Sequence, residues 1–279
     1  MNNVQASNNQ APKNIDRFQD VLGKLIVKGA SSFPKGVNSE RLRINAIMHI
    51  TQDQALSQVA LQKPAKIAQI VYNFVALGLD MLNRECYIVP FVKNRGRQNE
   101  EVELTILKDY KGEVKLARQY SVDPIREIFS RVVYENDSYH FNELGQFVHT
   151  FDPFSTDRGS KKGAYCTVIY ESGVHQTEFV NVDEINKVKG VSRSSSYDSS
   201  PWNKWEDEMW RKTAIRKAMK NISLDFGNSE TLKAYQESDN DVDFGSSSPR
   251  SSNAEIVPQD DAFADAIEGE SEEVRLQDV

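Results

Sequence analysis

The chain has 279 residues, 34 Lys and Arg against 41 Asp and Glu, a formal charge of −7, and two cysteines. The charge is unevenly laid out: Asp225 to Val279 holds 15 acids and 3 bases, which leaves 31 bases and 26 acids, net +5, in residues 1–224. These figures exclude an acidic ordered part, a disulfide or zinc framework (Cys86 and Cys166 lack ligand spacing and read as buried thiols) and a membrane span, since no apolar run is long enough.

Residues 1–14, MNNVQASNNQAPKN, are polar, lack the apolar core of a signal peptide and are expected to be disordered, so a cytoplasmic protein with no membrane contact is expected. Residues 15–224 read as one ordered domain with enough chain for a sizeable core. Ile15 to Val27 is amphipathic, Ser39 is placed to cap a helix reaching His49, and Lys66 to Leu77 carries Ile67, Ile70, Val71, Phe74 and Val75 at helical spacing. The block LGLDMLNRE then ends that helix. CYIVPFV (86–92) and VELTILK (102–108) read as a hairpin around a mobile, partly basic loop. DYKGEVKLARQY (109–120) turns helical after Gly112, and 125–134 fits either helix or strand. Phe147 to Phe151, GAYCTVIYE (163–171) and VHQTEFVNV (174–182) read as strands, the last two joined by a tight turn at Ser172-Gly173.

PWNKWEDEMWRKTAIRKAMK (201–220) holds all three tryptophans and reads as one helix of about five turns, with Ser200 as cap, Pro201 in the first turn, and acids before bases as the helix dipole favours. Ala214, Ile215, Ala218, Met219 and Ile222 fill its apolar arc. Lys212, Arg216 and Lys220 form a ridge opposite, with Lys217 beside it. Arg211 falls inside the apolar arc, so a carboxylate or a phosphate is expected to hold it. The tail, 225–279, is rich in Ser, Asp, Glu and Gln and is expected to be largely disordered, with a segment around Phe263 placed to order on a partner. The fold class is therefore α+β: N-terminal helices, a central antiparallel meander of hairpins, a long basic C-terminal helix and an acidic tail.

No GxxxxGK[ST] loop, HExxH or GxSxG occurs, and His49, His140, His149 and His175 are scattered, so neither enzyme, metal nor cofactor is expected. A nuclease built from dispersed carboxylates stays as an alternative. Three basic blocks stand out instead: Lys108, Lys111, Lys115 and Arg118 around DYKG; Arg158, Lys161 and Lys162 in DRGSKKG; and the ridge of the last helix. Together with the segregated acidic tail they favour a nucleic-acid partner over a solvated surface or an acidic protein partner.

The order LGL…YIVPF, DYKGEVKLARQY, DRGSKKGAYCTVIYESG and SPWNKWEDEMWRKTAIRKAMK, over about Ala65 to Ser223, resembles the RecT/Redβ family of phage single-strand annealing proteins, in its RecT branch. The resemblance implies a phage- or prophage-encoded protein that anneals complementary single-stranded DNA without ATP in a bacterial cytoplasm. It also implies homo-oligomeric rings or helical filaments, and a 5′–3′ exonuclease or a host single-strand-binding protein as partner of the acidic tail. The expected DNA-binding set is Lys108, Lys111, Arg118, Gln119, Arg158, Lys161, Lys162, Arg211, Lys212, Arg216, Lys217 and Lys220; Gln119 stands where many relatives carry a base. An annealing protein has to neutralise two backbones while leaving base edges open, so cations should outnumber stacking aromatics, and Trp202, Trp205 and Trp210 are assigned to packing or a subunit interface. The alternative in the same class is a coating protein that binds single strands without pairing them.

Overall fold

A computed structural model describes residues 11–93, 101–192, 195 and 198–238. The chain divides into two compact units, one built from residues 11–112 with 226–238 and the other from residues 113–225. The first is mainly helical: α1 (Ala11–Gly29), α2 (Ser39–Gln52), α3 (Gln54–Gln62), α4 (Pro64–Ala76) and a hairpin of β1 (Cys86–Lys93) and β2 (Glu101–Lys108). Asn38, rather than Ser39, caps α2 by accepting from the Arg41 N–H at 2.9 Å, and Asp53 both ends α2 and caps α3 through Leu56 N–H at 2.8 Å. Phe18 and Leu22 of α1, Ala46 and Ile50 of α2, and almost every residue from Ile67 to Ala76 are buried, which makes α4 the core helix of this unit. Gly78 supplies the left-handed residue after α4, and the Leu79 N–H bonds Phe74 O at 2.8 Å, closing the helix as the LGL block requires.

The second unit contains most of α5 (Tyr110–Tyr120), a three-stranded antiparallel sheet, a small hairpin and three more helices. The sheet has the order β3 (Ile125–Tyr134), β6 (Lys161–Tyr170), β7 (His175–Asn181), so 125–134 is a strand. The β6–β7 turn closes as expected, with Gly173 N–H on Tyr170 O at 3.0 Å. Alternate β6 residues Ala164, Cys166 and Val168 join Trp210, Ala214 and Ala218 of α8 (Glu206–Lys220) in one buried cluster. The hairpin of β4 (Ser138–Phe141) and β5 (Phe147–Thr150) places Phe147 4.9 Å from both Tyr165 and Phe179. After β7, an Asn181–Glu184 capping box starts α6 (Val182–Val191).

Three sequence expectations change. The single helix over 201–220 is broken: α7 (Pro201–Lys204), capped by Ser200 through Trp202 N–H at 3.2 Å, ends at Trp205, whose backbone (φ −130°, ψ 49°) is not helical. The break lets Trp202 and Trp210 both enter the core while Trp205 stays 47% exposed. The tail does not begin unstructured at Asp225, because α9 (Ser229–Glu237) packs with Thr231 and Ala234 buried; an amphipathic segment this short is submerged by the composition of its surroundings. Helix α1 starts at Ala11, inside the stretch expected to be disordered. The rest of that stretch, most of the β1–β2 loop and the tail from 239 lie outside the described residues. The expected buried thiols are in place: Cys86 and Cys166 are both buried and free.

Candidate nucleic-acid interface

Helix α8 packs its apolar stripe on the sheet and carries cations around the remaining surface. Arg211 reaches back one turn to Glu208, the carboxylate partner its position called for, and its own carbonyl accepts from Ser130 Oγ at 3.2 Å. Lys217 Nζ lies 2.6 Å from Glu184 and 2.9 Å from Phe179 O. Burial would raise the Glu184 carboxyl, but Lys217 and the Asn181 N–H outweigh it and hold it below the usual carboxylate range. The expected ridge of Lys212, Arg216 and Lys220 is interrupted. Arg216 turns to Glu113 of α5 at 3.5 Å, with side chains only 13% and 10% exposed, because a guanidinium at that depth needs a carboxylate. Lys220 is exposed and Lys212 partly so.

The DRGSKKG block is built into the same unit by charge. Arg158 grips Asp137 with both ends of its fork, Nε to Oδ1 at 2.9 Å and Nη2 to Oδ2 at 2.6 Å, and its guanidinium lies 4.2 Å from the rings of Tyr134 and Phe151. Asp137 also bonds Tyr134 N–H at 2.8 Å and His149 Nε2 at 2.9 Å. Its burial pushes the carboxyl upward, yet Arg158, the Tyr134 N–H and His149 together pull it below its ordinary value. Lys161 spans Glu206 at 2.5 Å and Asp207 at 2.7 Å, and Asp207 further accepts the Tyr134 hydroxyl. Desolvation alone would lower the Lys161 ammonium; the two carboxylates raise it instead. Lys162 is exposed, 3.7 Å from Glu135.

The DYKG block starts in the helical unit. Lys108, paired across the hairpin with Cys86, is 3% exposed, with its ammonium 4.1 Å from the centre of the Tyr235 ring. A groove-facing Lys108 is therefore not what this conformation holds. Lys111 is exposed at the first turn of α5, its N–H on Asp109 Oδ1 at 3.1 Å. Gly112 permits the approach of α5 to the hairpin, since a Cβ there would overlap the Glu85 carbonyl oxygen. Further along α5, Leu116, Ala117 and Tyr120 are buried, which turns Arg118 and Gln119 to solvent.

Within the sheet unit, the structure thus brings the 158–162 block to the start of α8 through Lys161, and α5 to the middle of α8 through Arg216. It also sorts the cations. Arg158, Lys161 and Arg216 are clamps with mostly buried side chains. Lys162, Arg211 and Lys217 sit in pairs whose members are each more than a third exposed, a class worth about 0–1 kcal/mol. Sequence reasoning missed the acceptors Asp137, Glu113 and Asp207, and the exposed β3 cations Arg126 and Arg131. The alternation in IREIFSRVVY was a signal for the last two. Among the described residues no cluster of His, Cys, Asp and Glu is placed to hold a metal, and no helix is long and apolar enough to cross a membrane.

A family model described as RecT family matches residues 44–252, a span containing all twelve expected contact residues and α9. Protein RecT of Escherichia coli (strain K12) is 24% identical over 200 residues, covering 70% of each chain.

Proposed function

Because the chain belongs to the RecT family, with its role in DNA recombination and single-strand annealing, we propose that it anneals complementary strands without ATP by holding their backbones on cations borrowed from surface ion pairs. The observation that carries this reading is the sorting of the cations: a phosphate displaces a half-exposed carboxylate at little cost, whereas a buried clamp does not exchange. Arg118, Lys162, Arg211 and Lys217 are the phosphate contacts, with Lys111, Lys212, Lys220 and Gln119 flanking them. Arg158, Lys161 and Arg216 act one step back, by fixing the strand and helix ends from which those contacts project.

Each strand carries one charge per nucleotide, so two strands repel until cations neutralise them. Once neutralised, their bases pair by their own edges, and the protein adds no sequence preference. Four exchanged phosphates give a log–log salt slope of about −3 per protomer, at about −0.7 each for single strands. Repetition of this surface in a ring or filament extends the track, and the chain beyond 238 recruits the exonuclease or the host single-strand-binding protein. Mixing two labelled complementary oligonucleotides with the protein and no nucleotide tests the reading. Pairing faster than in buffer supports it, and slower pairing marks a coating protein instead.

A further inference from the structure

Lys108 is a cation kept from solvent by one small helix. α9 has nine residues, too few to persist alone in water, so its place depends on a few contacts. At its start, the Glu230 carboxylate accepts from Ser32 Oγ at 2.6 Å and from the Tyr72 hydroxyl; at its end, Glu237 accepts from Asn73 Nδ2 at 2.8 Å. Between these pins Tyr235 stacks on Phe226, ring centres 4.7 Å apart, and presents its face to the Lys108 ammonium. The apolar seal is thin, for Thr231 and Ala234 are buried but Leu232 and Lys233 face water. Segments with so few buried contacts open at a fraction of the global unfolding cost.

We infer that α9 is a displaceable cover over a second strand-binding position, with Lys108 as the group beneath it and a phosphate of single-stranded nucleic acid as its ligand. In the closed form the Tyr235 ring shields the ammonium, an attraction that a phosphate replaces with a full negative charge. In the open form Lys108 sits at the end of β2, immediately before Lys111 and α5, and adds one contact to the helical unit. The inference rests on the proposed reading of the protein as a single-strand binder.

The test uses the full chain and a fluorescent oligo-dT probe, comparing wild type with Tyr235→Ala and with the double variant Glu230→Gln/Glu237→Gln. Uncovering Lys108 adds one phosphate contact, so affinity at 0.1 M salt rises about fivefold and the log–log salt slope steepens by about 0.7. Adding Lys108→Ala to either variant cancels both changes, and amide exchange over 229–237 in the wild type speeds up when the probe is bound. Should Tyr235→Ala lose its cooperative melt, the Glu230/Glu237 variant decides. If wild type binds the probe while the uncovered variants bind no tighter, or if Lys108→Ala leaves their gain intact, the cover is wrong and the single-strand reading survives. A wild type that shows no salt-dependent binding to the probe overturns both.

Discussion

Asp137→Ala removes the acceptor on which the β4–β5 hairpin, the 158–162 block and β3 converge. Its side chain is 2% exposed and takes two bonds from Arg158, one from His149 and one from the Tyr134 N–H. Truncation leaves the Arg158 guanidinium, 20% exposed and stacked on two rings, without its carboxylate, a change that costs about 3–5 kcal/mol. At about 4 °C per kcal/mol for a unit of about a hundred residues, its melting midpoint falls by about 12–20 °C. The double variant Asp137→Ala/Arg158→Met, which removes both charges, recovers most of that loss. Acid gives the same answer by another route. The folded Asp137 carboxyl titrates below its unfolded value of about 3.9, so its contribution is complete above that pH and is lost as pH falls through the folded value. Wild-type stability should therefore drop more steeply below about pH 4 than that of the variant. Thermal melts followed by far-ultraviolet circular dichroism measure both effects. A loss under about 1 kcal/mol, below the range for a broken buried pair, or identical acid profiles, would refute the clamp.

Arg216→Met should lower the melting midpoint, since it strands the partly buried Glu113, and Glu113→Gln in the same chain should restore it; Lys217→Glu should instead melt normally and weaken DNA binding. Deleting residues 239–279, which carry 12 acids and 2 bases, should preserve or strengthen oligonucleotide binding in an anisotropy titration. Cys166 should resist maleimide in the folded protein and react only on unfolding, because burial, aided by Glu178, pushes its thiol up to about 12.

Local chemistry made much of this legible in advance. The apolar stripe of α8, the Ser200 cap, the turn at Gly173 and the hairpins follow from residue spacing, and the misfit of Arg211 in an apolar arc announced a nearby carboxylate. What escaped depends on distance along the chain. Arg216 finds Glu113 across 103 positions and Lys161 finds Glu206 across 45, and neither pairing leaves a local trace. Hence the cations could be named from the sequence but not divided into clamps and contacts. Helix α6 carries its capping box in plain view yet buries only Ile185, so its periodicity is faint. Helix α9 was lost in the average of an acidic tail, and the break at Trp205 involves neither Pro nor Gly at that position.

The most direct test is the salt dependence of oligonucleotide binding in Lys162→Gln/Arg211→Gln/Lys217→Gln against wild type. Losing three phosphate contacts at about 0.7 each should flatten the log–log slope by about 2 while the melting midpoint stays unchanged. An unchanged slope would mean that these surface-paired cations do not touch DNA.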